Sequence, residues 1–406
     1  MVHADAQLGE LRLLLEELCC DLCRFEHVTR DQLPPESVRI DREYWLGTPG
    51  AFADIRVAPA GQLPYFVEVK FGYTSDMLVR HLSRKYKAPT GGGAGSKVVL
   101  VVDRTAYGNW ELLQRDLISC LHEGLHLEVW DEGRLRALLA ERFDVTIPRI
   151  TPDDLLDVRQ AIDRAKGFHA FGGPSLAEYE HDPLKAELLW HFGFWRLRHL
   201  RSAGRQSPRD ILPPASYRGV AVLLADLCSF SSYVRDTPHD DIVRESLTSF
   251  YSKARYQIIN SGGMLYQFAG DEVIGLFGIP DQPAGFAEAV LDTARALCRI
   301  GESVSQHWQR RIDRVQDAAG VHVGVARGDL QIVSLRPFSR MHIGAIGDCI
   351  NVASRLLPLA GPGEIVMSNT FHRSLTEQSQ ARCNEVEAVE ARNVGRIRSW
   401  KLTAPS

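Results

Sequence analysis

Gly219-Val-Ala-Val-Leu-Leu-Ala-Asp226 and Gly262-Gly-Met-Leu-Tyr-Gln-Phe-Ala-Gly-Asp271 are the two stretches that decide the fold of the C-terminal half of the chain. The first is an apolar run of strand length that ends in a carboxylate, and the small residues after it lead toward a helix over about 241–260. The second predicts a strand whose Gly-Asp turn leads into the apolar run 272–277, which predicts a hairpin. Each Asp therefore lies at the end of a β element.

Asp226 and Asp271 could hold a divalent cation if their two strands are neighbours. Mg²⁺ and Mn²⁺ prefer oxygen ligands, and a nucleoside triphosphate site commonly supplies one or two carboxylates beside the substrate's own phosphates. Cys228, Ser229 and Phe230 follow Asp226 and lead into a helix, so their backbone N–H groups would be placed to bind terminal phosphates. Two aspartates at loop edges are also common as simple turn residues, and the pattern alone leaves that interpretation open.

The composition is that of a globular protein of two or three domains. The 406 residues are 45% hydrophobic and 24% charged, and the net charge of −4 gives no global field that would attract nucleic acid or anionic lipid. No apolar run approaches the roughly 20 residues that cross a bilayer, and the N-terminus lacks the basic-then-apolar order of a secretion signal. We therefore expect a cytoplasmic protein without a membrane contact.

Three regions separate by their sequence pattern. Residues 1–150 alternate short apolar runs with helical segments, which predicts an α/β domain containing a flexible glycine-rich loop at 91–95. Residues 151–216 predict a helical connector whose aromatic side chains need a partner surface, either a dimer contact or the N-terminal domain. The arginine-rich stretch 196–218 also contains prolines, which favours a linker. Residues 217–406 form the third region, so the fold class is multidomain α/β.

Cys19, Cys20 and Cys23 lie in a leucine-rich stretch with helical spacing. Free cysteines of this kind usually lie on a packed face, and no second Cys or His pair stands nearby at zinc spacing. We therefore interpret them as buried thiols.

Asp54, Glu68 and Lys70 form an Asp-x13-Glu-x-Lys pattern, with Glu68 and Lys70 on one face of a predicted strand. With the strands that follow, this pattern resembles the restriction-endonuclease-like fold, in which the carboxylates bind Mg²⁺ and the Lys polarises a phosphodiester. The alternative is a regulatory, sensing or oligomerising module in which Glu68 and Lys70 pair on the strand surface. No basic stripe surrounds the pattern, so we do not expect this domain to contact DNA.

Four blocks in the C-terminal region resemble, in order and spacing, the signature blocks of the class III nucleotide cyclases, the adenylate and guanylate cyclases. They are Leu223-Leu-Ala-Asp-Leu-Cys-Ser-Phe230, Gly262-Gly-Met-Leu-Tyr-Gln-Phe-Ala-Gly-Asp271, Val321-His-Val-Gly-Val325 and Gly347-Asp-Cys-Ile-Asn-Val-Ala-Ser-Arg355. Four spaced blocks are far more specific than any single motif. The resemblance implies a ferredoxin-like catalytic domain over residues 217–406.

The resemblance also implies the roles of the site residues. Asp226 and Asp271 would hold two metal ions per active site, Mn²⁺ or Mg²⁺, with the backbone carbonyl of Leu227 as a further ligand. Asn351 would orient the ribose, and Arg355 would stabilise charge on the transferring phosphoryl group. These two residues are four apart, so on a helix they share a face.

In this family the metal aspartates come from one subunit and the Asn and Arg from the other. The chain carries all four residues but one cyclase domain, so the resemblance implies a symmetric homodimer with two shared active sites. The family also has a basic residue near the last strand that binds the triphosphate. Val394 and Gly395 occupy that region here, and Arg396 is the nearest basic residue.

The positions that recognise the base depart from the family pattern. Adenylate cyclases usually carry Lys three residues before the Gly of the Gly-Asp turn and Asp seven residues before the Asn, where this chain has Gln267 and Gly344. Guanylate cyclases carry Glu at the first position. A Gln amide can donate or accept a hydrogen bond and Gly has no side chain, so the pocket suits uracil or cytosine as readily as a purine.

A cyclase with such base-reading residues also resembles the pyrimidine cyclases of bacterial Pycsar antiphage defence, which make cyclic UMP or cyclic CMP as a signal for a separate effector protein. That resemblance implies a uridylate cyclase that converts UTP to 3′,5′-cyclic UMP and pyrophosphate. The alternatives are a cytidylate cyclase and the conventional adenylate cyclase. A degenerate nucleotide-binding sensor is the non-enzyme alternative, against which the presence of all four catalytic positions argues.

Overall fold

The computed structural model describes residues 2–88, 95–171, 183–205, 207–335, 342–391 and 395–403. The chain divides into two compact units, Met1–Lys166 and Gly167–Ser406. This division falls inside a helix of the predicted connector rather than at residue 150 or 216. Among the described residues no helix is both long and apolar enough to cross a membrane.

The first unit is built on a five-stranded sheet with the strand order β1-β2-β3-β4-β5. The first three strands are antiparallel to one another, and β3, β4 and β5 are parallel. The strands are β1 Val38–Trp45, β2 Phe52–Pro59, β3 Tyr65–Val69, β4 Lys97–Val101 and β5 His126–Trp130. All of β3 and most of β4 are buried, which explains why they read as continuous apolar runs.

The described part of the first unit also contains helices. They are α1 Val2–Arg30, α2 Ser75–Tyr86, α3 Trp110–Ser119, α4 Glu132–Phe143 and most of α5 Leu155–Phe171, with short 3₁₀ turns at Pro35–Ser37 and Arg104–Ala106. In α1 the leucines Leu11, Leu15, Leu18 and Leu22 recur every three or four residues and are almost fully buried. Cys19, Cys20 and Cys23 are buried free thiols on the same helix, as predicted. Most of the predicted glycine-rich loop, residues 91–94, lies outside the described residues.

The second unit contains an eight-stranded sheet with the order β12-β13-β11-β9-β6-β8-β7, and β10 pairs with β9. The strands are β6 Ala215–Leu227, β7 Met264–Ala269, β8 Glu272–Phe277, β9 Val321–Leu335, β10 His342–Ile346, β11 Glu364–Ser368, β12 Asn384–Ala391 and β13 Gly395–Thr403. The order β9-β6-β8-β7 with antiparallel neighbours, and with helices after β6 and β8, is the predicted ferredoxin-like arrangement. The predicted hairpin at Gly270-Asp271 joins β7 to β8.

The helices of the second unit cover this sheet. They are α6 Pro183–Ser202, α7 Pro208–Ile211, α8 Phe230–Asp236, α9 Asp240–Asn260, α10 Phe286–Ile312, α11 Asp348–Leu356, α12 Asn369–His372 and α13 Glu377–Gln380, with a 3₁₀ turn at Leu357–Leu359. Helix α11 packs closely on β9, because a Cβ at Gly324 would lie 2.6 Å from the carbonyl oxygen of Ala353. That close approach fixes where α11 sits relative to the central strands.

The aromatic part of the predicted connector packs on strand β7 and helix α9 of its own unit. The His191 Nδ1–H donates to the Leu265 carbonyl at 2.5 Å, and the Trp190 ring meets Phe268 edge-on with 5.9 Å between centroids. At Gly193 (φ 69°) the helix bends, and a Cβ there would lie 2.5 Å from Ile259. We expected a dimer contact or the N-terminal domain to cover these aromatic side chains. Strand β7 and helix α9 of the same unit do so instead.

The arginine-rich stretch is only partly a linker. Its first residues, up to Ser202, complete helix α6, and Arg196 pairs with Asp281 beyond strand β8. The linker prediction for 196–218 was therefore wrong for 196–202, which belong to α6, for 208–211, which form α7, and for 215–218, which begin strand β6.

Candidate active site

Strands β6 and β8 bring Asp226 and Asp271 to the same end of the sheet. Asp226 is the penultimate residue of β6 and pairs in register with Glu272, the first residue of β8. Asp271 is the last residue of the turn that leads into β8, and the Gly270 before it adopts φ 66°. The neighbouring strands on which the cation hypothesis depends are therefore present.

The two carboxyl groups are close enough to interact directly. Burial and the charge of Asp226 raise the pKa of Asp271 to about 6. Burial and the charges of Asp226 and Asp271 likewise raise the pKa of Glu272 to about 7. Carboxylates that crowd together in this way relieve their repulsion by binding a proton or a cation. These carboxylate oxygens are therefore suitable ligands for a hard divalent cation. The carbonyl oxygen of Leu227, the residue after Asp226, is a further candidate ligand.

His322 adds a side chain that the sequence did not single out. It pairs with Asp226 across strands β6 and β9, with its Nε2 atom 3.0 Å from Asp226 Oδ2. Its Nδ1 atom lies 2.9 Å from the carbonyl oxygen of Ala360. The hydrogen bond to Asp226 outweighs burial and raises the pKa of His322. His322 stands inside one of the four signature blocks, but only the strand register shows what it contacts.

The loop after Asp226 is less open than its sequence suggests. The backbone N–H of Cys228 donates to the Gly320 carbonyl at 3.0 Å, so that N–H is already engaged. The Cys228 thiol is buried, and burial with the charge of Asp226 raises its pKa to about 11. Ser229 adopts the left-handed conformation (φ 60°) just before α8, and Phe230 packs against Trp308. Of the three predicted phosphate-binding positions, Ser229 and Phe230 remain the stronger candidates.

Asn351 and Arg355 lie one turn apart on the exposed face of α11, as their spacing predicts. The opposite face of the helix buries Cys349, Ala353 and Leu356. Within the described part of the chain, no hydrogen bond or ion pair joins Asn351 or Arg355 to the two aspartates. In a single chain the two pairs of residues thus stand apart.

A comparison with protein families bears directly on this geometry. Residues 212–404 match the model of the adenylate and guanylate cyclase catalytic domain. The C-terminal unit contains a class III nucleotide cyclase domain. This match confirms the family resemblance drawn from the four signature blocks.

Curated relatives match over the same region. The uncharacterized protein Rv1320c of Mycobacterium tuberculosis (strain ATCC 25618 / H37Rv) is 28% identical over 190 residues, which are 46% of this chain and 31% of that protein. The uncharacterized protein Rv1319c of the same strain is 25% identical over 191 residues, 47% of this chain and 33% of that protein. The chain thus spans about a third of the length of the curated relatives it matches.

The solved structures that are similar to the cyclase domain include those of two cyclases, Cya2 and CyaB. The crystal structure of the guanylyl cyclase Cya2 has 19% identity and a TM-score of 0.41, over 46% of this chain and 93% of that one. The crystal structure of the adenylyl cyclase CyaB from P. aeruginosa has 19% identity and a TM-score of 0.39, over 47% and 97% of the two chains.

In the cyclase domain Gln267 lies on β7 and Gly344 on β10, and a hydrogen bond to Tyr266 links these two strands. The backbone N–H of Ala345 donates to the Tyr266 hydroxyl at 3.1 Å, which links β10 to β7. The ladder between β7 and β8 shifts register between Leu265 and Gln267, so Tyr266 sits in a bulge. Gln267 and Gly344 are each one residue from this hydrogen bond. Sequence reasoning missed Tyr266, because its partner is 79 residues away.

Arg396 stands apart from these groups. It is an exposed residue near the start of β13, in register with Glu390 of β12. Val394 lies outside the described residues. Arg396 therefore stays a predicted triphosphate ligand on sequence position alone.

The Asp54, Glu68 and Lys70 group of the first unit is a closed ion-pair cluster. Glu68 is fully buried, and both Lys70 and Lys85 reach it at 2.8 Å. The Tyr86 hydroxyl donates to Glu68 at 2.6 Å, and Asp54 accepts from the Lys70 ammonium group. Burial alone would raise the pKa of Glu68, but the two lysines outweigh burial and lower it. Two ammonium groups therefore neutralise two carboxylates.

Proposed function

We propose that the cyclase domain converts a nucleoside triphosphate into a 3′,5′-cyclic nucleotide and pyrophosphate. The observation that carries this proposal is the placement of Asp226 and Asp271 at one end of the central strands of a cyclase domain, where Asp226 pairs with Glu272, the residue after Asp271. In the reaction a bond forms between the ribose 3′-oxygen and the α-phosphorus, and the bond from that phosphorus to pyrophosphate breaks. The 3′-hydroxyl proton passes to solvent.

Asp226, Asp271 and the Leu227 carbonyl would hold two Mn²⁺ or Mg²⁺ ions. When bound, such ions lower the pKa of the attacking hydroxyl and neutralise the leaving pyrophosphate. Asn351 orients the ribose, and the Arg355 guanidinium donates to the oxygens of the α-phosphate as negative charge accumulates there. Ser229 and Phe230 offer backbone N–H groups to the terminal phosphates.

The proposed active site is shared between two copies of the chain. Asn351 and Arg355 are exposed and make no described bond to the aspartates, so a second copy can bring its α11 face to the carboxylates. A twofold axis would then create two identical sites in a homodimer.

UTP is the proposed substrate. Neither a Lys nor an Asp is present where an adenylate cyclase reads adenine, and the Gln267 amide can both donate and accept, so it can match the polar edge of either pyrimidine. CTP is the second candidate and ATP the conventional one. The resemblance to Pycsar cyclases supports a role in antiphage defence, in which cyclic UMP activates a separate effector protein.

Competition among the four ribonucleoside triphosphates at equal concentration with Mn²⁺ tests this proposal. We expect cyclic UMP to exceed cyclic AMP by at least about tenfold, because an unmatched polar base edge lowers transition-state binding. Gln267→Ala should lose most of this preference while retaining much of the total pyrophosphate release. The products are quantified by mass spectrometry.

Gln331→Ala, an exposed amide on β9, is the matched control for the Gln267 variant. If cyclic AMP predominates, the protein is an adenylate cyclase. If cyclic CMP predominates, the protein is still a pyrimidine cyclase and only the preferred base changes from uracil to cytosine. Nucleotide binding without any cyclic product or pyrophosphate would favour the sensor.

For the first unit we propose a regulatory or assembly role rather than nuclease activity. A catalytic carboxylate must be open to a cation and a phosphodiester, whereas Glu68 is fully buried and held by two lysines and a tyrosine. We propose that this unit has a restriction-endonuclease-like fold, which its strand order β1-β2-β3-β4-β5 supports.

Incubation of the purified protein with plasmid or phage DNA and Mg²⁺ or Mn²⁺ is expected to leave the DNA intact. Gel electrophoresis over several hours measures the outcome. Metal-dependent cleavage that disappears in Glu68→Gln, a variant that keeps the Tyr86 hydrogen bond, would instead assign a nuclease to this domain.

A further inference from the structure

Asp226 occupies the middle of a row of three polar side chains that crosses three strands. In the antiparallel ladders it pairs with Glu272 of β8 on one side and with His322 of β9 on the other. Directly paired residues in an antiparallel sheet project from the same face. His322 is therefore placed beside the carboxylate by the register of the strands and not by a flexible loop.

The ring orientation of His322 follows from its second partner. A carbonyl oxygen only accepts hydrogen bonds, so the Nδ1 atom must donate to Ala360 at 2.9 Å. That bond fixes the plane of the imidazole and aims Nε2 at Asp226 Oδ2, 3.0 Å away. A carboxylate oxygen also only accepts, so the Nε2–H donates to it. Both side chains are largely shielded, with 20% of His322 and 27% of Asp226 exposed. One oxygen of the carboxylate is thus tied to the imidazole.

The carboxylate of an aspartate can rotate about the single bonds of its side chain. To bind a cation it must be held in one orientation. Hydrogen bonds to the ligating groups supply that restraint, and their loss typically weakens metal binding by roughly 10- to 100-fold. In the described part of the chain, His322 is the basic side chain that contacts Asp226. Glu272, the other neighbour in the row, is itself a carboxyl group and supplies no basic side chain to Asp226.

We propose that His322 is a positioning residue that orients the Asp226 carboxylate for the divalent cation. This inference rests on the proposed function, because it assigns Asp226 to a cation. Ala360 follows the 3₁₀ turn at the end of α11, so the end of that helix, through His322, helps to set the geometry of the carboxylate.

Mn²⁺ binding, followed by electron paramagnetic resonance of the free ion, tests the proposal without requiring turnover. The protein is titrated in the presence of 3′-deoxyuridine triphosphate, which lacks the attacking hydroxyl. His322→Leu should weaken Mn²⁺ binding by about 10- to 100-fold, because both hydrogen bonds are lost. His322→Gln should lose clearly less, since its amide can still donate to Asp226. His239→Gln, an exposed histidine at the start of α9, is the matched control and should bind like the wild type.

Melting temperatures establish that each variant is folded, and His322→Ala replaces the leucine variant if that variant fails to fold. Mn²⁺ binding within threefold of the wild type in the apolar variant would overturn the proposal. Equal losses in the apolar and glutamine variants would overturn it as well, because a packing role would produce them. A wild type that binds Mn²⁺ with the analogue but forms no cyclic nucleotide from UTP, CTP, ATP or GTP would defeat the proposed function and leave the His322 comparison readable.

Discussion

Asp271→Asn is expected to lower cyclic nucleotide formation by at least about 10³-fold while the domain stays folded. The amide keeps the size of the side chain but removes the charge that faces Asp226, so the site loses half of its carboxylate pair. Pyrophosphate release from each nucleotide with Mn²⁺ measures the effect. Asp317→Asn, an exposed aspartate in the loop after α10, is the matched control and should retain wild-type activity. Undiminished turnover in Asp271→Asn would contradict the assignment of Asp271 to the active site.

The same variant should change how Mn²⁺ stabilises the protein at different pH values. The folded-state pKa of Asp271, about 6, lies above its unfolded value, so the protonated group favours folding at low pH and this stability is lost as pH rises through about 6. A bound cation removes the repulsion that appears there. The rise in melting temperature caused by Mn²⁺ should therefore grow between pH 5 and pH 8, and Asp271→Asn should flatten this dependence. An equal Mn²⁺ effect at both pH values in the wild type would contradict the assignment.

Mixing two inactive variants, Asp226→Ala and Arg355→Ala, is expected to restore about a quarter of wild-type activity. Half of the dimers in an equal mixture contain one chain of each kind, and one of the two sites in such a dimer then has both residues intact. The other site carries both defects. Activity is measured after subunit exchange has been shown by mixing differently labelled chains.

The matched control combines Asp226→Ala with Asp271→Ala, two changes on the same side of the shared site. That mixture should stay inactive, because every site lacks an aspartate. Failure of the first mixture to recover despite complete exchange would place all four residues in a site within one chain.

The aspartates could be found from the sequence because their positions depend on local patterns. An apolar strand that ends in Asp226 and a tight turn at Asp271 are each encoded within about ten residues, and the four spaced blocks supplied the ferredoxin-like order. Asn351 and Arg355 share a helix face for the same reason, since a spacing of four residues is a local property.

The partners of these residues could not be found in this way. His322 reaches Asp226 across 96 residues, and Ala345 donates to Tyr266 across 79. Such pairs depend on which strands become neighbours and in what register, and a shift of one residue would turn each side chain to the other face. The connector shows the same limit: its apolar residues predicted burial, but not that β7 is the surface they cover.

The packing of α6 on β7 determines where the chain can be cut. The region that matches the cyclase family begins at residue 212 and leaves α6 out. A fragment that starts there would uncover the Phe268 ring and leave the Leu265 carbonyl without its His191 donor, on the strand that carries Gln267. Fragments prepared to study the chemistry in isolation should therefore begin upstream of residue 183. Crystallisation or kinetics on shorter fragments would describe a β7 strand that lacks its contact with α6.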